Sequence, residues 1–174
     1  MHYIIGLDPG NKYTGYCIVD ENLKPVMFGK ESNDIVMAIC KTTLVEADMI
    51  SDSYIVAIER VASYGMAVGS EVFETCEWIG RFAQELGHFA PVDYVYRRDE
   101  KKYICGSPTA NDAIIRRALA DRFAYGEPNY GKGTKANPGF FYGFKADIWS
   151  AYAVCVTYHD MKIERKSDRW QISE

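Results

Sequence analysis

The chain has 174 residues, of which 48% are hydrophobic, 25% charged and 14% aromatic, a composition that suits one ordinary globular domain and leaves little room for a second. A net charge of −4 excludes a nucleic-acid binder that is basic throughout, though not one that is basic locally. No apolar run approaches the roughly 20 residues of a membrane span, the first residues lack the layout of a secretory signal, and five irregularly spaced cysteines read as reduced thiols in a cytoplasmic core.

In chain order, residues 2–8 read as a strand that is apolar on both faces and therefore central. Pro9-Gly10-Asn11 makes a turn, 14–19 return as a second strand, and a short third strand lies near 25–29. Asp34 opens an amphipathic helix with Ile35, Ile39, Leu44 and Val45 toward its buried side. A second two-sided apolar strand covers 54–59. A helix over 70–86 follows, with Val72, Phe73, Cys76, Ile79, Phe82 and Ala83 at helical spacing. A strand at 92–96, a helix at 109–123 and a helix near 146–161 complete the set. Three meandering strands followed by alternating helix and strand predict an α/β fold: a mixed five-stranded sheet with helices on both faces.

Charge is uneven. Residues 1–96 carry a net −8, 97–135 a net +4, and 136–174 are neutral. The basic block opens Arg97-Arg98-Asp99-Glu100-Lys101-Lys102 and continues through Arg116-Arg117, Arg122, Lys132 and Lys135. Such a run is either a solvated helix face or a strip that follows a phosphate backbone. Segment 125–144 differs in kind, with five glycines and six aromatics, and forms a loop insertion in the single domain spanning 1–174. Its aromatics, with Lys132 and Lys135, suit either stacking on unpaired bases or pinning of the loop to the core.

The acids at the strand ends carry the chemistry. Asp8 ends the first central strand and Glu59 the other. If these strands are parallel neighbours, both carboxylates emerge at one edge of the sheet, where open sheets place their sites. Asp147, in the first turn of the last helix, is the third acid. Alone, Asp147 would serve as a helix cap, and Glu59 would pair with Arg60 or Arg81. Together the three favour a metal site whose oxygen-only ligands suit magnesium or manganese rather than zinc. No His pair or Gly-x-Ser-x-Gly elbow offers a rival chemistry.

Ile4-Ile5-Gly6-Leu7-Asp8-Pro9-Gly10 with the Gly15-Tyr16 strand resembles the opening of the RuvC family of Holliday-junction resolvases. Ala57-Ile58-Glu59-Arg60-Val61 resembles that family's second acidic motif, and Lys102 to Ser107 with Ala110-Asn111-Asp112 its basic segment. Asp147-Ile148-Trp149-Ser150-Ala151-Tyr152-Ala153-Val154 resembles its last acidic helix. The resemblance runs in order over nearly the whole chain. The Gly139–Phe144 run makes it look more like the phage-type branch.

The resemblance implies an RNase H-like fold, a homodimer and a divalent-metal endonuclease acting on four-way junctions and other branched DNA in a bacterial or phage-infected cytoplasm. It implies two magnesium or manganese ions, about 3.5–4 Å apart, with Asp8 between them and Glu59 and Asp147 on one side each. Lys102 would contact the scissile phosphate, Arg97, Arg98 and Lys101 would join it on the backbone, and Tyr64 would wedge the branch point. The family's further acid falls on Ser150, so the fourth ligand is Ser150, a water or Glu71. The second basic position of the family falls on Asp112. The helix at 70–86, through Trp78 and Phe82, is the expected dimer interface. Two other readings remain: a non-catalytic branched-DNA binding module, and a nucleotide-binding domain of the actin and sugar-kinase type, whose phosphate loop also sets an Asp before a Gly-bearing hairpin.

Overall fold

The two apolar runs expected to be central lie side by side. The computed structural model describes residues 2–49, 52–63, 65 and 67–171, with side chains as far as Lys162. Its elements are β1 (His2–Pro9), β2 (Tyr13–Val19), β3 (Pro25–Ser32), α1 (Asn33–Met49), β4 (Ser53–Arg60), α2 (Ser70–Leu86), β5 (Val92–Tyr96), α3 (Arg97–Cys105), α4 (Asp112–Phe123), the single turn α5 (Pro128–Gly131) and α6 (Ala146–Gln171). The sheet order is β3-β2-β1-β4-β5. The hairpins β1–β2 and β2–β3 are antiparallel, whereas β1–β4 and β4–β5 are parallel. This is the expected mixed sheet of five strands.

Strand alternation divides the core in two. Ile5, Leu7, Val56 and Ile58 pack with Val36, Cys40 and Leu44 of α1 and with Ile79, Phe82 and Leu86 of α2. On the opposite face Cys17 and Val19 meet the buried run Ala151–Val156 of α6 together with Ile115 and Leu119 of α4. Gly6 makes the closest approach: a Cβ there would collide with the Ala151 carbonyl oxygen and Cys155 Sγ, so α6 lies directly on β1. All five cysteines are unpaired thiols. Among the described residues no helix is long and apolar enough to cross a membrane.

Several expectations need correction. Ile35 and Val45 are half exposed, and α1 instead buries Val36, Cys40, Leu44 and Ala47. Phe73 and Cys76 of α2 also face solvent, because the sheet meets only the stripe of Ile79, Phe82 and Leu86. Helix α4 starts at Asp112, since Asn111 is its N-cap and accepts from Ile114 N–H at 3.0 Å. Helix α6 continues ten residues past the expected end at 161, its charged tail being composed largely of good helix formers. Helix α3 was not placed among the expected elements, although a helix face was one reading of the basic run. Tyr96 N–H donates to Asp99 at 3.2 Å to start it, and Gly106, at φ +61°, closes it.

Segment 125–144 is pinned to the core, one of its two expected roles. Phe141 and Phe144 are fully buried against Trp149 and Tyr152, with ring centroids 4.4–5.6 Å apart. Tyr125, Tyr130 and Tyr142 remain exposed. Its phenylalanines pin the loop, and its tyrosines are left for solvent or a partner.

Candidate active site

The parallel register of β1 and β4 runs from His2↔Ser53 to Leu7↔Ile58, so the next residues, Asp8 and Glu59, stand side by side at the same edge of the sheet. Their carboxyls are close enough to shift each other's titration. Strand β5 ends alongside, pairing Arg60 with Tyr96, and the chain turns at once into α3. That turn delivers Arg97 and Glu100 to the edge. Helix α6 brings Asp147 to it, since its first turn rests on β2: a Cβ on Gly15 would lie 2.5 Å from the Asp147 carbonyl oxygen. The β1–β2 turn is held from below, where Asn33 accepts from Thr14 Oγ1 at 2.7 Å and donates to the Gly10 carbonyl at 3.0 Å.

Burial and like charge shape the electrostatics. Burial first, then the Glu59 and Asp147 charges, hold the Asp8 carboxyl well above the usual carboxylate range. Burial and the Glu100 charge push Glu59 up to about 7. Glu100 has no exposed surface, and burial raises it to about 8 even though Arg97 opposes the shift. Arg97 pairs with both Glu100 and Asp112 and is the cation at the centre of the group. Lys30 of β3 pairs with Asp147. Arg60 and Arg81, the alternative partners for Glu59, lie over the Tyr94 and Trp78 rings.

The donor chemistry suits a hard divalent cation. It is oxygen-only, and the crowding of Asp8 against Glu59 is a cost that a bound cation relieves. Asp8, Glu59 and Asp147 are the residues that would hold it. Among the described residues no three His, Cys, Asp or Glu side chains converge on one point, and the Lys30 pair occupies the carboxylate of Asp147.

Glu100 and Asp112 were not expected in this group. Both lay inside a charged run that reads as a solvated face, and only the i,i+3 spacing of Arg97 and Glu100 hinted at the pair. Ser150 is half-buried and lines a cavity with Asp147, while Glu71 is exposed in the first turn of α2.

The basic block is largely engaged within the chain. Arg97 belongs to the acid group, Arg98 lies over the Tyr96 ring, Arg116 over Tyr130, and Arg122 makes a two-pronged pair with Asp160 at 2.6 and 3.0 Å. Lys102 and Lys135 are exposed and Lys101 and Lys132 half-buried; Lys102 lies 4.6 Å from the Tyr103 ring centroid. Tyr64 lies outside the described residues. Phe82 is fully buried under α2 and is unavailable to an interface, which corrects that expectation; Trp78 is partly exposed.

A solved structure of Thermus thermophilus RuvC is similar to this chain at a TM-score of 0.58 and 15% identity, over 93% of this chain and 96% of that one. A second, T. thermophilus RuvC in complex with Holliday junction substrate, is similar at a TM-score of 0.59 and 14% identity, over 94% and 96%. The fold is RuvC-like. No protein-family model and no curated protein matches the sequence.

Proposed function

We propose that this protein is a divalent-metal-dependent endonuclease that cuts four-way junctions and other branched DNA by phosphodiester hydrolysis. The observation that carries the reading is the side-by-side placement of Asp8 and Glu59 at one edge of the sheet, with Asp147 of α6 near enough to act on Asp8, within a fold similar over 94% of this chain to a RuvC solved in complex with a junction. Asp8 and Glu59 on their strands, and Asp147 on α6, would hold magnesium or manganese, hard ions that suit an all-oxygen set. When bound, a pair of such ions supplies Lewis-acid neutralisation of charge at the attacked phosphodiester. The chain's own contribution is placement. Arg97 lies close enough to Asp8 and Glu59 to oppose the rise that burial imposes on both carboxyls. Lys30 holds Asp147 until substrate or cation competes for it. Lys101, Lys102, Lys132 and Lys135 supply cationic contacts for phosphate, with Lys102 toward the scissile group.

A four-way junction calls for two symmetric cuts, so a homodimer is part of the reading. Its interface falls on the outer side of α2, where Phe73 and the edge of Trp78 are accessible. The phage-type assignment rests on the Gly and aromatic pattern before α6.

A non-catalytic junction-binding module is the second reading, favoured by the Lys30–Asp147 pair and by Ser150 where a further acid is expected. The deciding experiment is cleavage of a labelled four-way junction in magnesium and in manganese, with ATP turnover as a control for the kinase-like alternative. Metal-dependent paired nicks support the nuclease; tight junction binding without cleavage supports the module.

A further inference from the structure

Asp8 and Lys30 stand in one row across the sheet. Asp8 pairs with Gly15, and Gly15 pairs with Lys30 on its other side. Residues directly opposite in adjacent strands share a face, so the carboxyl and the ammonium rise on the side that carries α6, with Gly15 between them. Gly15 has no side chain, and Asp147 fills the gap: a Cβ on Gly15 would lie 3.0 Å from the Asp147 Cβ. The Asp147 side chain therefore leaves α6 between two neighbours of opposite sign. It is near enough to Asp8 to raise that carboxyl, yet its ion pair is with Lys30. Held there it does not close on Asp8 and Glu59, and among the described residues no three such side chains converge.

We propose that Lys30 is a positioning residue that makes cation and DNA bind cooperatively, by holding Asp147 off the cation site until a phosphate of the DNA takes the ammonium. The inference rests on the nuclease reading and concerns how that site is assembled. Both partners of the pair are partly exposed, Lys30 by 48% and Asp147 by 33%. Exposed pairs of this kind are weak, so a divalent ion on the acid or a phosphate on the ammonium is enough to part them. Either ligand thereby removes a cost that the other would have met, and the coupling has the same size in both directions. Lys30 Nζ also lies 5.8 Å from the centroid of the Tyr13 ring, which keeps the released ammonium at this edge of the sheet.

The test uses the full chain and reads binding rather than cleavage. Manganese binding without DNA is titrated through the electron paramagnetic resonance signal of the free ion. The expected result is about fivefold tighter binding by Lys30→Gln than by wild type, with no such gain when Lys30→Gln is added to Asp147→Asn. Lys145→Gln removes an exposed charge two residues before Asp147 and should gain less. Junction affinity is then followed by fluorescence anisotropy with and without calcium. The factor by which calcium tightens binding should be about fivefold larger in wild type than in Lys30→Gln. Unchanged manganese affinity in Lys30→Gln overturns the proposal, as does a gain that survives Asp147→Asn or is matched by Lys145→Gln. Equal calcium factors in the two proteins overturn it as well. Failure of the nuclease reading shows separately, as absence of junction cleavage with the manganese and calcium responses intact.

Discussion

At the scale of single residues, Asp147 separates the two readings of the site. Asp147→Asn keeps the size of the side chain but removes the charge that would hold a cation. The expected outcome is loss of junction cleavage by two or more orders of magnitude, about 3 kcal/mol or more of transition-state stabilisation. Junction binding in calcium should persist, and the melting temperature should stay near wild type, since Asn replaces a partly exposed carboxylate paired to Lys30. Full cleavage by the Asn variant would remove Asp147 from the site.

Glu100 predicts a pH dependence of stability. Its carboxyl is raised to about 8 in the fold, mainly by burial, whereas an unfolded Glu titrates near about 4.3. The folded state therefore holds a proton that the unfolded chain releases. The stabilisation is fully present below the unfolded value and is lost as pH rises through the folded one. Glu59, raised to about 7, acts with the same sign. Metal-free protein should accordingly melt at falling temperature as pH goes from about 5 to about 9, and Glu100→Gln should flatten that profile, because its amide has no proton to lose. Differential scanning fluorimetry across that range checks it; parallel profiles for the two proteins would count against the buried acid.

At the scale of elements, the contact of α6 with the sheet is the joint that aims Asp147. Gly6 and Gly15 lie under it, one against Ala151 and Cys155, the other against the backbone of Asp147 itself. Gly6→Ala should cost about 1–3 kcal/mol by overpacking, read as a lower midpoint in urea. Gly15→Ala should reduce cleavage more than stability, because its methyl pushes the acid-bearing turn rather than the middle of the helix. The same joint explains how much of the site was legible. Asp8 and Glu59 follow apolar strand runs whose two-sided pattern marks them as central, so their shared edge could be inferred from the chain. Glu100 could not, because a charged helix face and a buried acid pair look alike until β5 delivers α3 to the sheet edge. Ile35, Val45, Phe73 and Cys76 were misread for a related reason: apolar spacing shows a stripe, but only the opposing sheet decides how wide a stripe it covers.

At the scale of the whole molecule, the basic block sorts into arginines tied up inside the fold and lysines at or near its surface. Replacing Lys101, Lys102, Lys132 and Lys135 together should flatten the dependence of junction affinity on salt and weaken all branched substrates alike, since phosphates carry no sequence information. Arg97 should behave differently, its loss uncovering Glu100 and Asp112 and impairing folding or cleavage at unchanged salt slope. Fluorescence anisotropy at several salt concentrations distinguishes them; an unchanged slope in the lysine variant would assign these residues to a solvated face.

The chain by itself determined the mixed five-stranded sheet, its two central strands and the pair Asp8 and Glu59, because period-two burial, turn residues and charge placement are local properties that survive without coordinates. Only the tertiary structure decided that Arg97 faces inward, that Glu100 and Asp112 join the acids, and that Lys30 holds Asp147. These relations reach as far as 117 positions along the chain, from Lys30 to Asp147, and their energies depend on burial and on neighbouring charges, which come into being only when α3, α4 and α6 close over the sheet.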